Sequence, residues 1–525
     1  MYIHLLINYN IFLIYYFFYI KFEKYLELFF IINIIMDNID NKTVKKLIQY
    51  CRDNNVKGFS NKKKQELIDL IKEHHKNIIE EDKEEDKEED KEEDKEEDKE
   101  DKELTIVETF VGCGGSHLGF KRHNFKTIFV NDIWDTALKT LRENNKELDD
   151  KKIICEDINT LCNKNLLSEY NIKKRDLNLL IGGVVCKGFS LAGVRNPFDT
   201  RNYLYISQLK LVEQFMPMIS IIENVPGMKN MKILAKNEFA PCSKEKMKDF
   251  KINESIKELC EKVNIVIENH KNNRGQIIAV NKKLSEDDSE EIKTSKKIKE
   301  KLLKEKEELL KEKEKLEKDR KNYEDKLEKY KYSVLDDIEN KYKELGYKVY
   351  INKLKVSNYG GFTNRIRLII VAVRNDINKE WEWPEITNND DNLLTVRDAF
   401  SLLDKDINDP IKDIDNKPME HRKSTIEKFK KIKNGEKSGG FSSRGTSNRL
   451  DYDKPAPTLV PGHSSFQIHP VEHRSITVRE GGIITGFPID FKFIGSHSDR
   501  CMQIGNAIPV HLGEALAKSV RKFLE

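Results

Sequence analysis

Leu104-Thr-Ile-Val-Glu-Thr-Phe-Val-Gly-Cys-Gly-Gly-Ser-His-Leu-Gly-Phe120 decides the fold of this chain. An apolar run, Thr105–Phe110, ends in a glycine loop, and a stretch that opens a helix follows. Gly112, Gly114 and Gly115 let the backbone turn tightly and come close to a ligand. The next apolar run, Thr127–Asn131, ends at Asp132, about 20 residues beyond the loop, where a carboxylate can accept hydrogen bonds from ribose hydroxyls. Asp157 follows a third run, Ile153–Cys155. A glycine loop with two strand-end acids reads as a site for a nucleoside cofactor. Nothing in the pattern calls for a pyrophosphate.

Outward from this core, Leu179–Gly182 and Ile219–Glu223 are further short apolar runs. Helical segments such as Thr136–Asn145 and Ser207–Phe215 separate them. Strands alternating with helices predict an α/β fold, a mostly parallel sheet covered on both faces. Residues 229–345 interrupt the alternation. From Ile292 to Leu345 the chain is almost wholly Lys and Glu, with Leu302, Leu309, Leu316, Tyr323 and Tyr330 spaced as heptads. Such spacing predicts a long helix able to pack as a coiled coil. The second apolar position of the heptad is mostly charged, which favours a protruding insertion over self-association. Val349–Leu354 and Arg367–Val373 resume the strands, and Ala507–Phe523 reads as a closing amphipathic helix.

The remaining segments differ in composition. Residues 1–35 are dominated by Ile, Phe, Tyr and Leu but broken by Lys21, Glu23, Lys24 and Glu27. The unbroken part is short beside the roughly 20 residues a membrane span needs, and no signal-peptide pattern is present. We read 1–35 as an upstream extension, with non-translation left open and a membrane anchor as the lesser alternative. Residues 41–76 pattern as two short lysine-rich helices about the turn Val56-Lys-Gly-Phe59, with Ser60 as a candidate cap. They resemble a SAP motif, a small DNA-binding helical hairpin. Residues 80–103 repeat Glu-Glu-Asp-Lys, with 18 acids against 6 lysines, and read as a solvated linker. The whole chain carries +3, so everything outside this segment carries +15. A basic body suits a polyanionic partner. The eight cysteines form no Cys-x-x-Cys pair, which supports neither a metal site nor a disulfide framework and fits a reducing, intracellular setting.

Cys186 lies in Leu180-Ile-Gly-Gly-Val-Val-Cys-Lys-Gly-Phe-Ser190, a lone thiol just beyond a strand. At such a strand tip, nearby donors favour the reactive thiolate. With Cys186 in place, six blocks in order resemble the cytosine-5 DNA methyltransferase family, which uses S-adenosylmethionine. They are Phe110-Val-Gly-Cys-Gly-Gly115, the Cys186 segment, Glu223-Asn-Val-Pro-Gly227, Asn364-Arg-Ile-Arg367, Arg474-Ser-Ile-Thr-Val-Arg-Glu480 and Gln503-Ile-Gly-Asn-Ala-Ile508. The resemblance implies a Rossmann-like class I methyltransferase fold. It implies a catalytic domain at 104–375 and 471–525, with the 229–345 insertion, and a target-recognition domain at 376–470. It also implies that Cys186 attacks carbon 6 of a flipped cytosine, that Glu223 serves ring N3, and that Arg365 and Arg367 hold the base and its nucleotide. Phe110, Gly112, Gly114, Gly115, Asp132, Asp157, Ile158, Leu204, Asn506 and Ala507 become the cofactor contacts.

The family's usual Pro-Cys-Gln is Val185-Cys186-Lys187 here, its Pro-Gln before the arginines is Phe362-Thr363, and an acid expected near Pro488 is Ile489. Arg444, Asn448 and Arg449 lie in a Gly/Ser-rich stretch able to approach DNA, where arginine reads guanine edges. His469, Pro470 and Arg474 mark the return to the catalytic domain. The expected activity is methylation of double-stranded DNA by a soluble monomer, as in restriction–modification, with a coiled-coil partner left open. Two alternatives stand beside it: a tRNA cytosine-5 methyltransferase, whose Cys-Phe-Thr signature does not occur, and a DNA-binding homologue of impaired catalysis.

Overall fold

The computed structural model describes residues 43–53, 56, 62–71, 103–184, 200–234, 254–286, 296–403, 413–436, 448–459 and 466–525. Cys186, Val185, Lys187, Ser60, Arg444, residues 1–35 and nearly all of the acidic repeat lie outside them. Residues 1–102 and 103–525 form two units. In the first, helix α1 (Val44–Asp53) and α2 (residues 64–71) bury Leu47, Cys51, Val56, Leu67, Ile68 and Ile71 together.

The strands of the second unit are β1 (Leu104–Thr109), β2 (Phe125–Asp132), β3 (Ile153–Cys155), β4 (Leu179–Gly183), β5 (Ile219–Asn224), β6 (Lys232–Leu234), β7 (Lys331–Ser333), β8 (Tyr347–Lys355) and β9 (Ile366–Arg374). Seven of them form one sheet in the order β3-β2-β1-β4-β5-β9-β8. The pairs from β3 to β5 are parallel, and β9 runs antiparallel to both β5 and β8. The strands read as unbroken apolar runs because both faces are covered. Val107, Leu180, Ile222, Leu368 and Ile370 face one core, while Ile106, Ile181, Ile221, Ile369 and Val371 face the other.

Four helices supply the opposing surfaces. On the first face lie α5 (Leu204–Phe215) with Tyr205, Leu209 and Val212, and α8 (Val334–Glu344) with Leu335, Ile338 and Tyr342. On the second lie α3 (Gly115–Lys121) with Phe120, and α11 (Val510–Leu524) with Leu512, Leu516 and Val520. Each large apolar side chain so buried contributes about 1.5–3 kcal/mol. Between α3 and α5, α4 (Asp135–Asn144) buries Leu138 and Leu141 against Val130 and Ile153.

The insertion contains α6 (Glu254–Glu286) and α7 (Lys296–Leu327), which pack on each other. Val263, Ile267 and Leu327 form their core with Leu259 and Tyr323. Asn273 donates to the Leu309 carbonyl at 3.0 Å and to Glu312 at 2.8 Å, so the two helices run in opposite directions. The short antiparallel pair β6–β7 closes the base of this hairpin.

The C-terminus departs from the expected single helix over Ala507–Phe523. Helix α10 (His497–Asn506) ends at Ala507, whose backbone is extended, and α11 starts after Pro509. A proline has no N–H to donate and its ring clashes inside a helix, so the chain breaks there. Helix α9 (Val478–Ile484) begins with a capping box between Thr477 and Glu480. Within 376–470, Trp381 packs with Phe523, and Val396, Ala399, Leu450, Ala456 and Phe466 share a core with Val478, Ile483 and Ile484.

Candidate functional site

The sheet order places β1 beside β4, where the chain turns from winding one way to winding the other. Ligands of open α/β sheets bind beyond the C-terminal strand ends at this point. The glycine loop after β1, Asp132 after β2, Asp157 after β3 and Glu223 in β5 all converge there.

In the glycine loop, Phe110 (φ 53°), Gly112 (φ 57°) and Gly114 (φ 95°) take left-handed backbone conformations that fold the loop back. A side chain at Gly112 would meet nothing within 4 Å, so the loop faces open space there. Behind it, Gly115 is in contact: a Cβ would come 2.1 Å from the Ile508 carbonyl and 3.3 Å from Ala507. Residues Asn506 and Ala507 thus belong to the segment that backs the loop, with Asn506 exposed.

Asp132 is held by the backbone. One carboxylate oxygen accepts the Gly112 N–H at 2.8 Å and the other the Trp134 N–H at 2.9 Å. Burial pushes its pKa up, and these N–H donors oppose the shift. Asp157 accepts the Asn159 N–H at 2.8 Å, capping the short helix Ile158–Leu161, and Ile158 is buried. Two residues were missed by the sequence reading. Glu108, buried in β1, accepts the Ser116 hydroxyl at 3.0 Å and lies 2.6 Å from His117 Nδ1, fixing the start of α3. Ile133 is 67% exposed beside Asp132, an apolar face where a ring could stack. Its only sequence signal was adjacency to the strand-end acid.

Strand register builds the other side. Glu223 pairs across the sheet with Ile369. Side chains alternate along a strand, so Arg367 shares the face of Ile369 and lies diagonal to Glu223. Arg367 Nε lies 2.5 Å from Glu223 Oε1, with both side chains buried. Burial pushes the Glu223 carboxyl up, opposed by the Arg367 guanidinium. Arg365, on the same face, donates from Nη1 to the Gly505 carbonyl at 2.8 Å. Its buried Nε–H has no partner among the described residues. The arginine-bearing turn and the segment behind the glycine loop therefore meet through Gly505 and α10.

The two ends of the segment that carries Cys186 are described. On one side, Asn224 donates to the Val184 carbonyl at 3.0 Å. On the other, the chain re-enters at Thr200–Tyr203 and continues into α5, where Leu204 is half-buried against the core. Among the described cysteines, burial pushes Cys113 and Cys501 up to about 12, and raises Cys51 and Cys155 above the ordinary thiol range. Such thiols are poor sources of thiolate.

Arg449 does not face outward, contrary to the reading of its stretch as DNA-approaching. It is 4% exposed, and its guanidinium donates to the carbonyls of Phe429, Ile432, His469 and Glu472 at 2.6–2.8 Å. Every arm is satisfied by backbone, so it ties 429–432 to 469–472. Arg474 has a similar internal role, pairing with Glu480 and Glu472. Thr363, where the family has Gln, accepts the Arg365 N–H at 3.3 Å and donates to the Ala456 carbonyl at 2.9 Å, anchoring the arginine-bearing turn. No group of metal-ligating side chains occurs among the described residues, and no helix among them is long and apolar enough to cross a membrane.

Comparison with known proteins agrees with this geometry. The profile of the family described as C-5 cytosine-specific DNA methylase matches residues 104–334 and 322–522. The type II methyltransferase M.Eco47II of Escherichia coli is 25% identical over 448 residues, covering 80% of this chain and 79% of that protein. M.DdeI of Desulfomicrobium norvegicum is 26% identical, covering 80% and 89%. M.MthTI of Methanothermobacter thermautotrophicus is 25% identical, covering 80% and 98%. The chain belongs to the C-5 cytosine-specific DNA methylase family and is a DNA cytosine-5 methyltransferase.

Proposed function

We propose that the chain methylates carbon 5 of a cytosine flipped out of double-stranded DNA, through a covalent adduct with Cys186, using S-adenosylmethionine. The observation that carries this is the buried Glu223–Arg367 pair on β5 and β9, beside the end of β4 that leads to Cys186. Burial pushes the Glu223 carboxyl up, which favours its taking a proton to share with ring N3 once the base is bound. Withdrawing charge through N3 eases attack of the Cys186 thiolate on carbon 6, and carbon 5 becomes enamine-like. After carbon 5 is methylated, its proton leaves to a base and the C–S bond breaks, which returns the thiolate. The Arg365 Nε–H, which has no partner among the described residues, supplies a donor to the base or its phosphate.

The open loop at Gly112, the remaining lone pairs on Asp132 and the exposed Ile133 fit S-adenosylmethionine. That cofactor supplies an electrophilic methyl group when bound. Gly112, Gly114 and Gly115 would line its methionine end, with Phe110 near the adenine. Asp132 would take the ribose and Asp157 with Ile158 the adenine. Leu204, Asn506 and Ala507 would close the site. Residues 376–470 would read the target, 41–76 would add DNA contacts as a SAP-like hairpin, and the chain would act as a monomer. The relatives' type II names suggest a role in restriction–modification.

The test is transfer of labelled methyl from S-adenosylmethionine to duplex DNA and, in parallel, to tRNA. Label on DNA at carbon 5 of cytosine, lost in Cys186→Ala, is expected. Undiminished transfer by Cys186→Ala would remove the covalent mechanism, and label on tRNA alone would change the substrate.

A further inference from the structure

The stem of the insertion carries a buried polar chain that the methyl-transfer chemistry does not use. Asp337, in α8, is fully buried. The Tyr205 hydroxyl donates to its Oδ2 at 2.8 Å. Tyr332, in β7, lies with its hydroxyl 3.1 Å from that of Tyr205. Tyr205 has one hydroxyl proton and gives it to Asp337, so Tyr332 donates to Tyr205. A second tie joins the same helices, Lys341 of α8 to Glu213 of α5 at 3.3 Å.

Tyr205 is the second residue of α5, the helix on which the chain resumes after the Cys186 segment. Tyr332 is the last-but-one residue of the strand that closes the insertion, and Asp337 lies in the first turn of the helix after it. The other root of the insertion, β6, follows directly on Pro226–Asn230, which extends the Glu223 strand. Val334 N–H bonds the Met231 carbonyl at 3.0 Å, clasping the two roots together. Met228, Ile233, Tyr332 and Val334 lie in one core with Tyr203, Tyr205 and Leu209.

We infer that Asp337 and Tyr332 are positioning residues for methyl transfer: the stem of the insertion fixes the start of α5, and through it Leu204 and the Thr200–Tyr203 turn that precedes it. The insertion is thereby divided. Its stem belongs to the catalytic apparatus, while the α6–α7 hairpin beyond it is dispensable for the reaction itself. A buried carboxylate with a tyrosine donor is a rigid anchor, because removing a donor from a buried acceptor costs part of its desolvation. Small displacements of a reacting group are costly in rate, so the effect should appear in kcat.

The inference rests on Cys186 as nucleophile, which Cys186→Ala tests separately. If that variant stays active the mechanism falls, whatever the stem variants do. The stem is tested in the full chain with Tyr205→Phe, Tyr332→Phe, Asp337→Asn and Asp337→Leu, each assayed well below its own Tm. We expect Tyr205→Phe and Asp337→Leu to lower kcat about ten- to hundredfold. KM for S-adenosylmethionine and for DNA should change far less. Asp337→Asn, which keeps an acceptor, should recover part of the rate. In the hairpin, Asn273→Leu should stay within about twofold of wild type, being distant from the site. Lowered Tm with unchanged kcat in Tyr205→Phe would make the chain structural only and overturn the inference. Should Asp337→Leu fail to fold, the two hydroxyl deletions decide, since they remove one atom each.

Discussion

The two halves of the site hold their acids by different means. Asp132, on the proposed cofactor side, is gripped by two backbone N–H groups. Glu223, on the proposed base side, is gripped by one guanidinium. Backbone donors come with the fold of the loop and survive most side-chain changes around them. A side-chain pair exists only while both partners do, and each partner stranded alone in a buried place is costly. The cofactor side is therefore tied to loop conformation, and the base side to a charge balance.

The sharpest break of this contrast is Glu223→Ala. It removes the proposed proton donor and leaves Arg367 as an unpaired buried cation. Methyl transfer should fall about 10²–10⁴-fold, and the fold should lose about 3–5 kcal/mol in chemical denaturation. Pairing it with Arg367→Leu should restore much of the stability and none of the rate. Unchanged stability in Glu223→Ala would show that the pair does not hold this half together.

Asp132→Asn is the matching change on the cofactor side, and its effect should be smaller. The amide keeps one acceptor for the backbone but turns its NH2 toward the other N–H. KM for S-adenosylmethionine should rise about tenfold, the cost of one charge-assisted hydrogen bond. The value of kcat should stay near wild type. A large fall in kcat with unchanged KM would place Asp132 in the chemistry rather than in binding.

A pH profile separates the halves again. Burial raises the Glu223 pKa, and Arg367 opposes that shift. A raised carboxyl pKa favours the folded protein at low pH, and this contribution is lost as pH rises through the folded value. Activity that needs the proton falls over the same rise. Arg367→Gln removes the opposing cation, so the alkaline limb of kcat should move to higher pH. Movement to lower pH would contradict the assignment of that limb to Glu223.

What the sequence made legible follows the same division. The glycine loop, Asp132 and Asp157 could be read because local order along the chain sets them: strand, turn, acid, repeated. The alternation of strands and helices gave the α/β class, and β1–β5 lie within a residue or two of expectation. The Glu223–Arg367 pair could not be read, since it depends on β9 entering antiparallel beside β5 with one register. The break at Pro509 was available in the sequence but was hidden by the amphipathic pattern running through it. Arg449 misled because a Gly/Ser-rich neighbourhood predicts a loop and says nothing of which side chains turn inward.

Arg449 also extends the comparison to a cation held chiefly by backbone carbonyls, with His473 Nδ1 3.2 Å from its Nη2. Carbonyl oxygens satisfy it without any carboxylate, and burial lowers its pKa. A lysine in its place keeps the charge but has three donors from a single atom and cannot span carbonyls on two segments. Arg449→Lys should therefore destabilise the fold by about 1–3 kcal/mol through the carbonyls left unserved. Its effect on methylation should be the smallest of the set, with the preferred DNA sequence unchanged, because no arm of Arg449 is free to reach a base. Methylation of a panel of duplexes by wild type and Arg449→Lys checks this. An altered sequence preference with intact stability would return Arg449 to the DNA-facing surface.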